Sequence, residues 1–246
     1  SLQEAGLIDI NSVPYYRNPV KLDAQREAGH HLSERQQFVV DSVLKDYDDG
    51  IRQTYLLRGI TGSGKTEVYM ELIAQMIQRG RQAVMLIPEI ALTYQTVLRF
   101  YKRFGDRVSV MNSTLSPGEK YDQCERARKG EIDVIIGPRS ALFTPFPDIG
   151  IIIIDEEHEN SYKSETMPKY HARETAEELA VLHGASVFLG SATPSLESFY
   201  RAKQGKYRLF TLNERLTGGV LPTVYVEDLR QELKNDSRII LARSFQ

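Results

Sequence analysis

The run Gly59-Ile60-Thr61-Gly62-Ser63-Gly64-Lys65-Thr66 sets a glycine, four residues, then glycine, lysine and threonine. That is the spacing of a phosphate-binding loop. Gly59, Gly62 and Gly64 allow a tight bend that turns backbone N–H groups toward an anion, with Thr61 and Ser63 inside the same cradle. In such a loop Lys65 reaches the β- and γ-phosphates of ATP, and the Thr66 hydroxyl takes a position on Mg²⁺. A second acidic set, Asp155-Glu156-Glu157-His158, directly follows Ile151 to Ile154. An acidic residue at the end of an apolar central strand is where a phosphate-loop enzyme holds its metal. Asp155 would bind Mg²⁺, mostly through water, and Glu156 would orient and polarise the attacking water. His158 reads either as a structural histidine or as a relay from these carboxylates to a neighbouring motif. Gly190-Ser191-Ala192-Thr193-Pro194 brings the small hydroxyls of Ser191 and Thr193 to the same sheet edge. The same stretch also reads as a helix cap before Ser195, and both roles are compatible.

These groups need strands and helices to aim them. Thr54 to Leu57 reads as a short buried strand before the glycine loop. Val68, Tyr69, Leu72, Ile73, Met76 and Ile77 recur at helical spacing after it, so a helix N-terminus adds its partial positive charge to the anion site. A further helix starts after Ser33, with Ser33 as N-cap and Gln36 or Gln37 at the third position. Further strands are expected at Ala83 to Ile87, Val108 to Met111, Asp133 to Gly137, Gly150 to Asp155 and Ser186 to Gly190. Helices are expected at Thr66 to Gln78, Ala91 to Phe104, Pro117 to Lys129, His171 to His183 and Ser195 to Gln204. The continuous apolar strands call for cover on both faces. The expected fold is therefore α/β: a doubly wound, mostly parallel sheet with helices on both sides, over residues 32–212.

At either end the pattern lapses. In residues 1–31, Leu7 to Ile10 could form a strand, but Pro14 and Pro19 stop it, and His30 and His31 read as linker residues without metal-ligand company. Beyond Phe210 the alternation ends, and Gly218, Gly219 and Pro222 mark residues 213–246 as a linker.

Composition narrows the class. Over 246 residues, 41% hydrophobic and 26% charged are values of an ordinary globular protein. No run of 18 apolar residues exists and no signal-peptide pattern opens the chain, so a cytoplasmic protein without membrane contact is expected. Cys124, the single cysteine, excludes an internal disulfide and any multi-cysteine zinc site. A net charge of −2 argues against a wholly basic nucleic-acid binder. The basic clusters around Arg99 to Arg107, Arg126 to Lys129 and Arg201 to Lys206 read first as solvated helix faces.

The ordered set GITGSGKTE (59–67), PEIALT (88–93), GPRSALFTPF (137–146), DEEH (155–158) and GSATPS (190–195) resembles the superfamily 2 helicases. Ser161-Tyr162-Lys163 and Lys169-Tyr170-His171-Ala172-Arg173 are similar to the aromatic-rich loop of the bacterial primosomal replication-restart helicases within that superfamily. The resemblance runs from about Leu32 to Phe210. It implies a RecA-like motor lobe of an ATP-dependent DNA helicase that unwinds 3′ to 5′. Gln36 would then read adenine, and Pro88, Glu89 and Thr93 would lie in a motif presenting backbone amides to a DNA strand. Arg139 and Ser140 would lie in a second strand-contacting motif. Tyr162, Lys163, Tyr170 and Arg173 would couple single-stranded DNA to hydrolysis, with His158, Ser191 and Thr193 in the coupling path. Implied partners are single-stranded and forked DNA, single-strand-binding protein and primosome proteins. Leu7 to Ile10 looks like the end of that family's winged-helix module. The family's second motor lobe with its arginine fingers, its zinc insertion and its DNA-end-binding domain have no match, so no zinc is expected here. Two other functions use the same motifs: a non-unwinding translocase, and a nucleotide-dependent DNA-binding switch. Glu156 speaks against the switch, because a dead site has no use for a water-polarising carboxylate.

Overall fold

The structure is a computed structural model and describes residue 29 and residues 31–216. The expected strand at Leu7 to Ile10, His30, and the expected linker from 217 onward lie outside the described residues. Helix α1 (Glu34–Asp48) opens on Ser33 with a reciprocal capping box, and Gln36 supplies the returning side chain. Strand β1 (Thr54–Gly59) leads through the glycine loop into α2 (Lys65–Gln78). Then follow β2 (Gln82–Leu86), α3 (Tyr94–Phe104), β3 (Val108–Val110), α4 (Pro117–Arg128) and β4 (Val134–Gly137). The remaining elements are β5 (Ile149–Asp155), α5 (Ala172–His183), β6 (Ser186–Ser191), α6 (Leu196–Lys203) and β7 (Tyr207–Leu212).

The strands form one sheet in the order β3-β4-β2-β5-β6-β1-β7. All of its pairings are parallel. Side chains alternate across a strand, and here both faces are buried. Tyr55, Leu57, Ile151 and Ile153 enter one core with α1, α2 and α3, while Leu56, Ile152 and Ile154 enter the other with α5. That is why β5 can be four isoleucines in a row. With every strand parallel, the C-terminal ends of β1, β2, β4, β5 and β6 share one edge, and every motif singled out above follows one of them.

Two expectations shift. The helix expected from Ala91 begins at Tyr94, because Thr93 caps it by accepting the Thr96 N–H, and a 3₁₀ turn at Glu89–Ala91 precedes it. Tyr207–Leu212 is a seventh strand on the far side of β1, beyond the strands expected from the sequence. Its edge position leaves Leu209 part-exposed and mixes in Arg208 and Thr211, so it lacks the apolar run that marks the inner strands.

Candidate functional site

The glycine loop begins where β1 ends. Gly62 and Gly64 take positive φ of 82° and 77°, which a side chain would resist. A Cβ on Gly59 would come within 2.7 Å of Ser63 Oγ and 2.9 Å of the Lys65 side chain, so the cradle closes only with glycine there. Ser63 Oγ is buried and has no hydrogen-bond partner among the described residues, an unmet polar group inside an anion-shaped loop. Lys65 Nζ donates to the Gly59 carbonyl at 3.1 Å and lies 3.2 Å from Glu156 Oε1. Thr66, one residue into α2, lines a cleft of about 380 Å³ with Asp155, Gln95, Arg99 and Lys102. Thr66 and Asp155 offer a hydroxyl and a carboxylate, the oxygen set of a hard cation.

Burial, then the charge of neighbouring Glu156, push the Asp155 carboxyl above its ordinary range, while a hydrogen bond from Tyr69 and the charge of Lys65 act against them. Glu156 sits at φ 46°, the left-handed region, and among the described residues no other non-glycine residue does. Such a backbone costs on the order of 1–3 kcal/mol and collects at functional sites. It turns the Glu156 carboxylate onto Lys65 on one side and to 3.6 Å from His158 Nδ1 on the other. His158 Nδ1 is also 2.8 Å from Ser191 Oγ, which accepts the Thr193 N–H at 3.0 Å. The acidic motif and the Gly-Ser-Ala-Thr motif are therefore joined side chain to side chain, and Ser195 separately caps α6.

Several residues assigned from sequence stand elsewhere than expected. Gln36 is 1% exposed, and its amide donates to the Ser63 and Gly64 carbonyls at 3.0 and 3.2 Å while its oxygen accepts the Ser33 N–H. It braces the loop from beneath instead of presenting a free edge to adenine. Tyr162, expected to meet DNA, is 1% exposed and donates to the Asp155 backbone carbonyl at 2.7 Å. Arg173, also expected at DNA, is 6% exposed and held by Glu157, Ser195 and Ser198. Both are corrected to internal braces, because a buried side chain cannot reach a strand. The turn after Pro88 spends the Ala91, Leu92 and Thr93 amides on its own carbonyls, so Thr93 presents no free N–H there, and Pro88, as a proline, has none to present.

The remaining residues of these motifs do reach a surface. Pro88, Asn112, Lys120, Arg139 and Ser140 line a groove of about 290 Å³. Arg139 donates to the Ser161 and Lys163 carbonyls at 2.6 and 3.0 Å, which fixes the loop after β5. Lys163 extends to solvent, and Tyr170 meets Phe143 edge-on with ring centroids 5.2 Å apart. Phe143, 58% exposed, has no role expected from the sequence; it ends the 3₁₀ turn Arg139–Phe143, whose Ala141 and Leu142 are buried while its own ring faces out.

A model of the DEAD/DEAH box helicase family matches residues 24–201. The chain belongs to that family. This helicase-family chain is 43% identical over 239 residues to replication restart protein PriA of Bacillus subtilis, a match covering 97% of the chain and 30% of that protein. It is 45% identical over 196 residues to PriA of Synechocystis sp., covering 78% and 24%. It thus spans less than a third of the length of these curated relatives. RecG bound to a three-way DNA junction superimposes with a TM-score of 0.56 at 24% identity, over 75% of this chain and 24% of that one. The helicase MrfA bound to DNA and AMPPNP gives 0.52 at 17%, over 75% and 27%. These two likenesses show the fold. As a DEAD/DEAH box helicase domain, the chain is of a nucleotide-dependent type. Among the described residues no helix is long and apolar enough to cross a membrane.

Proposed function

We propose that this chain is the ATP-binding first motor lobe of an ATP-dependent DNA helicase that acts in replication restart. The observation that carries the proposal is the meeting of Lys65, Thr66, Asp155 and Glu156 at one sheet edge, behind a loop whose glycines and orphaned Ser63 hydroxyl suit a phosphate. Backbone amides of residues 61–66 and the Lys65 ammonium would take the phosphate oxygens. Thr66 and Asp155 would hold Mg²⁺, which when bound neutralises charge on those oxygens. Glu156, aimed by its left-handed backbone, would orient and polarise the attacking water. The Glu156–His158–Ser191 contact would report the state of that carboxylate to Thr193.

On the outer face we assign Thr93, Arg139, Ser140 and Lys163 to a single strand's backbone, and Phe143 with Tyr170 to its bases. Cations suit phosphates, and exposed aromatics suit base faces. The similarity to PriA proteins supports forked DNA as substrate and primosome proteins and single-strand-binding protein as partners, and the family resemblance supports 3′-to-5′ unwinding. The experiment is ATP hydrolysis with and without single-stranded DNA, plus strand displacement on forked DNA, in the chain joined to the remaining length its relatives have. Stimulated hydrolysis with displacement is expected. Stimulation without displacement would favour a non-unwinding translocase, and binding without turnover a switch.

A further inference from the structure

Asp155 has a soft side-chain torsion, as every aspartate does, so something must hold its carboxylate if it is to meet a cation in one orientation. The described hydrogen bonds to that carboxylate both fall on Oδ1. Tyr69 donates to it at 2.9 Å and the Glu156 N–H at 3.0 Å, while Oδ2 accepts none among the described residues. Tyr69 is fully buried. It lies on α2 three residues after Thr66, a spacing that sets the two side chains on neighbouring positions of one helix face. To reach Asp155 its ring crosses β6 at Gly190, the strand position directly opposite Asp155. A Cβ on Gly190 would stand 1.7 Å from the Tyr69 hydroxyl and 2.7 Å from the ring carbon that bears it. The glycine that opens the Gly-Ser-Ala-Thr motif is thus the gap through which this tyrosine passes.

We propose that Tyr69 is a positioning residue for Asp155: its hydroxyl, passed through the space left by Gly190, pins one carboxylate oxygen so that the other faces the cleft shared with Thr66. The inference rests on the reading of Asp155 and Thr66 as the Mg²⁺-facing pair. One helix then carries both the Thr66 hydroxyl and the group that aims the opposing carboxylate, so α2 sets the distance and the angle together. A core tyrosine that merely satisfied its hydroxyl on the nearest acceptor would stabilise the fold and leave the response to Mg²⁺ untouched.

The test uses the 246-residue chain and a fluorescent ADP, titrated in chelator and then at rising Mg²⁺, for wild type, Tyr69→Phe and Gly190→Ala. Tyr69→Phe keeps the ring and removes only the hydroxyl. We expect its ADP affinity in chelator to match wild type, and the Mg²⁺ concentration at half effect to rise about tenfold, as for other groups that orient a metal's ligand. Gly190→Ala, which displaces the ring, should shift the same midpoint, and the double variant should be no worse than the worse single one. An unchanged midpoint in Tyr69→Phe would overturn the proposal while leaving the nucleotide site standing. Equal loss of affinity in chelator and in Mg²⁺ would overturn it in favour of a structural role, and additive shifts in the double variant would break the link to Gly190. A wild-type chain whose ADP binding ignores Mg²⁺ would overturn the proposal together with the site reading beneath it.

Discussion

Asp155, Glu156 and Glu157 are neighbours in the chain with nearly the same chemistry, and the fold treats them in opposite ways. Glu157 is fully enclosed: its carboxylate accepts the Ser195 N–H at 2.7 Å, the Ser195 and Ser198 hydroxyls, and Arg173 at 3.2 Å. Both oxygens are engaged, Oε1 by the Ser195 N–H and Oε2 by the two hydroxyls and Arg173, and the buried group faces no cleft. Asp155 lines the cleft with Oδ2 accepting no hydrogen bond among the described residues, and Glu156 stands beside it against Lys65 and His158. The first is lifted above its ordinary pKa by burial and the second is held on a strained backbone. An acidic residue that is saturated holds the structure; one that is left open and strained is available for chemistry. The difference is made by the turn after β5, where the left-handed Glu156 sends its carboxylate outward and the next one back under α6.

That contrast can be broken experimentally. Glu156→Gln, in the chain joined to its relatives' remaining length, should lower ATP turnover by about 10²–10⁴-fold with nucleotide binding retained. Parallel measurement of turnover and binding checks it, and equal loss of both would move Glu156 to the structural side. Arg173→Met should leave Glu157 as an uncompensated buried charge and cost about 3–5 kcal/mol of stability. Urea unfolding measures this, and a loss under about 1 kcal/mol would mean that water reaches Glu157. On the outer face, Phe143→Ala with Tyr170→Ala should remove about 1–3 kcal/mol of stacking per base and weaken DNA stimulation of hydrolysis more than basal hydrolysis. Unchanged stimulation would deny that surface a strand.

The smallest effect concerns pH. His171 caps α5 by accepting the Arg173 N–H on Nδ1, which requires the unprotonated ring. Burial, then the Arg173 charge, hold its pKa below the ordinary value. A histidine depressed in the fold adds stability above its unfolded pKa of about 6.5, and that stability is lost as pH falls through the lower, folded value. Thermal unfolding of wild type against His171→Asn, a cap that does not titrate, should diverge below about pH 6.5 by under 1 kcal/mol. Parallel curves would remove His171 from the account.

The α/β architecture was legible because its signals are local: glycines where φ must be positive, and an isoleucine run that only a two-sided sheet accepts. Lys65, Asp155 and Glu156 come together as their strand ends require. Depth was not legible. Tyr162 and Arg173 carry the side chains of a DNA contact, and nothing in their types says that the loop folds them inward onto Asp155 and Glu157. Gln36 was ambiguous for a related reason, since one amide can cap a helix and brace a loop at once. Tyr69 looked like any core residue at helical spacing, and only the missing Cβ of Gly190 reveals its reach.

The central claim is that the edge formed by Lys65, Thr66, Asp155 and Glu156 binds a nucleotide through its phosphates. Titrating fluorescent ATP in Mg²⁺ into wild type and Lys65→Ala tests it most directly, with unfolding curves of both run beside the titration. Lys65 is a charge contact on the loop with no part in either core cluster. The account therefore predicts unchanged unfolding and an affinity at least about tenfold weaker, the least expected when a charge-assisted bond of about 1.5–3 kcal/mol is lost. Equal affinity in two equally folded proteins would contradict it.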